Sequence, residues 1–172
     1  MSKFTLILIS FLLQLPCFVA ADAEYTLYKE ILGHKITSWE QSLAVDNDGY
    51  LWVASGGLVF RNNGTDWEDL TEQSGGADCI SASPDGVMWF ASKGHFSKYD
   101  GDKWTFYSKD VNFPDDYLKS ISASSDSIIW FNFQTYIAEY NSHEIITFKT
   151  GFLQDYIHRI TAVSDGGVWL KP

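Results

Sequence analysis

The chain has 172 residues, with 22 Asp+Glu against 12 Lys+Arg, a formal net charge of −10 and 16% aromatic residues. Such an acidic balance leaves no basic surplus to displace counterions from a phosphate backbone, which excludes nucleic acid as a partner class. At 45% hydrophobic and 20% charged residues, the composition is that of a chain able to bury a core, not of a disordered tail.

The N-terminus starts with Lys3, continues with the apolar run Phe4 to Leu15, and leaves through Pro16 to the small residues Val19-Ala20-Ala21. This order predicts a secretory signal peptide over 1–21, cleaved after Ala21. Gln14 and Pro16 break the run before the ~20 apolar residues of a spanning helix. An exported chain with no membrane span in its mature part is therefore expected. Pro16 in front of Cys17 argues against a lipid anchor. Cleavage removes Cys17 and leaves Cys79 alone, so neither an intrachain disulfide nor a multi-cysteine metal site is expected, and no cofactor is implied.

From residue 42 onward an eleven-residue phrase recurs: SLAVDNDGYLW (42–52), CISASPDGVMW (79–89), SISASSDSIIW (120–130) and RITAVSDGGVW (159–169). Each copy reads as an alternating strand, an Asp-containing turn (Asp48, Asp85, Asp126, Asp165) and a second strand carrying Trp. The register continues past the Trp, where WVASGGLVFRNNGTDW (52–67) matches WFASKGHFSKYDGDKW (89–104). The first unit thus predicts strands at 42–46, 50–55, 58–63 and 67–71. Four short antiparallel strands every ~40 residues are the pattern of a β-propeller blade. The expected fold is all-β: three complete blades over about 42–73, 79–109 and 120–150, and the first two strands of a fourth over 159–172. Residues 25–29, with Tyr25-Thr26-Leu27-Tyr28, resemble the outer strand Trp104-Thr105-Phe106-Tyr107 and form a candidate outer closing strand. The second-strand Trp residues are expected to fill the wedge between neighbouring blades.

The phrases VDNDGYLWVASGGLVF and SPDGVMWFASKG resemble the two-component regulator propeller repeat, and SDSIIWFNF resembles it more weakly. The resemblance covers about 25–172. It implies a sensor propeller, periplasmic or extracellular, that binds a ligand and passes recognition to an output domain which this sequence does not include. By this reading the sequence is a truncated copy of a longer propeller. Two alternatives are a streptogramin-lyase-like propeller enzyme and a stand-alone module that closes by self-association.

In propellers, ligands meet the loops that lead into inner strands, here about 30–41, 72–78, 109–119 and 150–158. These loops nominate Trp39, Glu40, Asp115, Asp116, Tyr117, Asp155, Tyr156 and His158 as ligand-binding residues. Aromatic rings flanked by carboxylates suit a small molecule such as a saccharide, or a protein segment. No catalytic residue is nominated: His34 and His158 lie in such loops, but no spacing pairs either with Glu40 or Asp155, and no nucleophile-elbow or metalloprotease motif occurs. Asp46-Asn47-Asp48-Gly49 is a hairpin turn rather than a calcium loop, because the twelfth position from Asp46 is Gly57 instead of Glu.

Overall fold

Asp46 shows how the repeat folds locally. Its Oδ1 accepts the backbone N–H groups of Asp48 and Tyr50, and its Oδ2 accepts Trp52 Nε1–H at 2.7 Å, so one carboxylate holds a turn and the Trp beyond it. The chain reverses across this turn, and the two strands it joins pair with Ala44 opposite Trp52. The same register recurs with Ser81 opposite Trp89, Ser122 opposite Trp130 and Thr161 opposite Trp169. A small residue facing each indole keeps the pair close and lets the ring lie across the sheet.

The structure is a computed structural model and describes residues 6–8, 25–27, 29–36, 41–107, 111–149 and 157–171. At the N-terminal end, β1 (Leu6–Leu8) pairs in parallel with β2 (Tyr25–Leu27), and β3 (Glu30–Ile31) pairs with β4 (His34–Lys35) as a short hairpin. Three four-stranded antiparallel sheets follow. The first contains β5 (Gln41–Val45), β6 (Leu51–Ser55), β7 (Leu58–Asn62) and β8 (Trp67–Asp69). The second contains β9 (Cys79–Ala82), β10 (Met88–Ser92), β11 (His95–Tyr99) and β12 (Trp104–Tyr107). The third contains β13 (Leu118–Ala123), β14 (Ile129–Phe133), β15 (Tyr136–Tyr140) and β16 (Ile145–Lys149). A two-stranded sheet of β17 (Arg159–Ala162) and β18 (Val168–Lys171) stands last. The strand at 67–71 is shorter than expected: Thr71–Ser74 forms one helical turn, α1, entered through the bond from Thr71 N–H to Asp69 Oδ1.

Each sheet has side chains on both faces, and each junction buries one apolar cluster. Trp52, Ala54 and Val59 of the first sheet meet Ile80, Met88 and Phe90 of the second. Trp89 and Phe96 of the second meet Ile121, Phe131 and Tyr140 of the third. Trp130 and Ile137 of the third meet Ile160 of the last pair. The aromatic rings interlock at the distances expected of offset and edge-on pairs, with Trp52 and Phe90 centroids 5.2 Å apart and Phe96 and Phe131 5.1 Å apart. Hydroxyl groups join successive inner strands: Ser42 Oγ accepts Ile80 N–H at 2.9 Å, Ser81 Oγ accepts Ala123 N–H at 3.0 Å, and Ser122 Oγ accepts Ala162 N–H at 2.8 Å. The expectation that second-strand Trp residues fill the wedge holds for Trp52, Trp89 and Trp130, whereas Trp169 is exposed.

Candidate functional site

The starts of the inner strands converge on a cleft of about 630 Å³. Its walls come from β5, β9, β13 and β17, and Ser42, Asp78, Tyr117, Lys119, His158 and Arg159 lie in its lining, with Lys93 from the turn between β10 and β11. Strand geometry explains why these residues gather there. Each inner strand enters from the same end of its sheet, so the residue just before or at its first position stands at the rim. The lining is mixed in charge: the exposed Tyr117 shares it with the cations Lys93, Lys119 and Arg159 and the Asp78 carboxylate.

Of the eight residues nominated from the sequence, Trp39, Glu40, Asp155 and Tyr156 lie outside the described residues. Tyr117 and His158 are brought to the same cleft. His158 is fixed by its backbone N–H, which donates to Lys171 O at 2.8 Å, leaving the exposed imidazole at the rim. Asp115 turns aside to the β10–β11 turn, with Oδ1 3.7 Å from Lys93 Nζ. Asp116 Oδ1 accepts Tyr117 N–H at 2.7 Å and so holds the aromatic residue at the entrance to β13. Burial, and after it the Asp116 carboxylate, push the Tyr136 phenol above its ordinary range. Both acids therefore position the rim and are not in the cleft lining.

Lys93, Lys119, Arg159 and Asp78 are lining residues that sequence reasoning passed over. Asp78 is anchored twice, by its backbone N–H to Ala91 O at 3.0 Å and by the Ser92 hydroxyl, which donates to Asp78 Oδ2. Lys119 Nζ lies 3.5 Å from Gln134 O, leaning toward the turn between β14 and β15. Among the described residues no group of three His, Cys, Asp or Glu side chains is arranged to hold a metal ion. The cleft offers hydrogen-bond donors, one acceptor carboxylate and an aromatic face, which is equipment for holding a polar molecule.

No protein-family model matches the chain, and no curated protein matches it. Among solved structures it is similar to virginiamycin B lyase from Staphylococcus aureus, at 22% identity and a TM-score of 0.58, over 74% of this chain and 47% of that one. It is equally similar in fold (TM-score 0.58, 19% identity) to a chain described as the extracellular domain of a hybrid two-component system of B. thetaiotaomicron, over 80% of this chain and 22% of that one. A further domain of that organism, described as the extracellular part of a one-component system, matches with a TM-score of 0.55 and 15% identity, over 78% and 20% of the two chains. The chain spans about half the length of the lyase and about a fifth of the two extracellular domains. At these identities the likeness is one of fold, a β-propeller architecture of stacked four-stranded antiparallel sheets. Among the described residues no helix is long and apolar enough to cross a membrane.

Proposed function

We propose that this chain is a binding module of an exported β-propeller, periplasmic or extracellular, which takes a small polar molecule such as a saccharide, or a protein segment, at the rim of the inner-strand cleft. The observation that carries this reading is the convergence of Tyr117, Lys119, His158 and Arg159 with Asp78 on one cleft of about 630 Å³. An exposed ring offers a flat apolar face, and the surrounding donors and carboxylate fix orientation, which is how sites for polar ligands are built. The likeness to extracellular domains of two-component and one-component systems supports a role in recognition, with any response made by an output domain outside the described residues.

The test is a panel of oligosaccharides and short peptides, read by thermal shift and calorimetry. A ligand that raises Tm should bind about tenfold more weakly to Tyr117→Ala, roughly 1.4 kcal/mol, and more weakly still when Arg159 is also replaced. Undiminished binding to the double variant would place recognition elsewhere. The position of His158 in the same lining favours a second reading, a lyase-like enzyme, since an imidazole at a cleft rim can remove a proton. Turnover of a ligand that disappears in His158→Ala would select it, and binding without turnover in the wild type would select the module.

A further inference from the structure

The chain carries 22 Asp+Glu against 12 Lys+Arg, yet the lining of the inner-strand cleft reverses that balance. Lys93, Lys119 and Arg159 line it together with one carboxylate, Asp78, whose Oδ2 already accepts the Ser92 hydroxyl. The nearby acids turn elsewhere, Asp115 to Lys93 and Asp116 to the Tyr117 N–H, and neither lies in the lining. His158 adds an exposed imidazole at the rim. Carboxylates crowd the other end of the inner strands, where the turns that follow β5, β9, β13 and β17 carry Asp46, Asp48, Asp85, Asp126 and Asp165. Cations thus gather where the inner strands begin and acids where they end. A cleft lined mainly by one sign of charge concentrates ligands of the other.

The strands hold two of these cations in arrangements that lower stability. Arg159 on β17 stands directly opposite Lys171 on β18, and both are exposed. Like charges at directly opposite positions weaken a strand pair, and Arg159 makes no ion pair among the described residues that would relieve the repulsion. Lys119 is the extra residue of a β-bulge: Leu118 pairs with Phe133 and Ser120 with Asn132, which leaves Lys119 out of the ladder. A bulge re-aims the side chain it carries, and this one stands in the cleft lining. Asn132 ties the two places together. It is fully buried, and its Nδ2 donates to Ser120 Oγ at 3.3 Å, beside Lys119, and to Ile157 O at 3.2 Å, two residues before Arg159. Its Oδ1 is buried and accepts no hydrogen bond among the described residues. An unmet buried acceptor, a broken ladder and a like-charge pair each cost stability, and all three meet where Lys119 and Arg159 enter the cleft.

We propose that the ligand of this cleft carries an anionic group, a carboxylate, sulfate or phosphate, which Lys119 and Arg159 engage while the body of the ligand lies against Tyr117. The inference rests on the reading of the cleft as a binding site and narrows it to one class of charge. An anion there relieves the repulsion between Arg159 and Lys171. It also accepts charge-assisted hydrogen bonds from the guanidinium, whose planar fork matches two oxygens of one acidic group. A neutral ligand can use the Tyr117 ring but leaves the like charges facing each other.

Calorimetry with charge-matched probes tests this on the purified protein. One pair is trigalacturonic acid and its neutral methyl ester, and the other is a short peptide rich in aspartate and its asparagine counterpart. The expected result is that the acid of one pair binds about tenfold or more tightly than its neutral twin, and that added salt narrows the gap. The pair that responds identifies a saccharide or a peptide as the source of the anion. Arg159→Gln and Lys119→Gln should each weaken the acid about tenfold and leave the neutral twin unchanged. Lys103→Gln, in the turn between β11 and β12 at the far end of the second sheet, should leave both unchanged. Without ligand, Arg159→Gln should keep the wild-type Tm or raise it, since it removes a like-charge pair. A neutral twin bound as tightly as its acid, with both weakened by Tyr117→Ala, keeps the binding site and overturns its anionic ligand. Acid binding that survives both glutamine variants, or that Lys103→Gln weakens equally, overturns the proposal as well. Binding by no probe overturns it together with the module reading.

Discussion

Tyr107 shows what the junctions do to a single side chain. Its ring stacks on Phe96 with centroids 4.6 Å apart and lies 5.2 Å from that of Tyr140. Burial, followed by the neighbouring Tyr140, pushes its phenol up to about 12 from an ordinary value of 10.0. The proton is thus held more tightly in the folded than in the unfolded chain. Its contribution to stability is whole below pH 10 and is lost as pH rises from there through about 12. Denaturant titrations at successive alkaline pH values should show stability falling over that window, with a shallower fall in Tyr107→Phe. Identical slopes would mean that the phenol ionises freely. Trp89, on the same junction, is fully buried, with Lys98 Nζ 5.5 Å from its ring centroid and Nε1–H donating to Ser125 O. Trp89→Ala should cost about 3–5 kcal/mol, the range for removing a large buried ring. Phe106→Ala, on an exposed outer strand, should cost less than about 1 kcal/mol. Urea denaturation of the two variants makes the comparison, and equal losses would contradict the packing described.

At the scale of the element, the connections set the spacing between sheets. Gly76 follows α1 with φ +81°, and a Cβ added there would lie 2.7 Å from the carbonyl oxygen of Gly57, a backbone atom that cannot step aside. Gly49 has a similar φ of +83° in the turn between β5 and β6, with nothing within 4 Å of its added Cβ. Both alanine variants incur the left-handed strain, and only Gly76→Ala adds a clash. Gly76→Ala should therefore lose about 1–3 kcal/mol more than Gly49→Ala in chemical denaturation. Much at this scale was legible in the sequence: β6 and β7 fall within a residue of the strands expected at 50–55 and 58–63, because alternation and the Trp register set their faces. The turn was less legible. The recurring Asp48 drew attention, but Asp46 organises it, and the fifth position of the phrase becomes Ser83, Ser124 and Val163 in the other units. The cleft was legible only in part. Tyr117 and His158 stood out in their loops, whereas Lys93, Lys119 and Arg159 occur singly along the chain and meet only after three sheets have stacked.

For the whole molecule, stability should be distributed as in a linear array, where each unit depends on its neighbours. The second and third sheets are flanked on both faces and carry the largest cluster, from Cys79 to Tyr140. The first sheet has the second on one face and the β3–β4 hairpin on part of the other. β17–β18 is covered on one face by Trp130 and Ile137, and its outer strand, with Trp169, has no strand beyond it in the sheet. Amide exchange should follow this order, slowest in β10, β11, β14 and β15 and fastest in β17–β18, since local opening costs least where fewest contacts are broken. A closed ring would behave differently, with one protection level shared by all its units. Hydrogen exchange read by mass spectrometry separates a graded stack of sheets from a ring that opens as one.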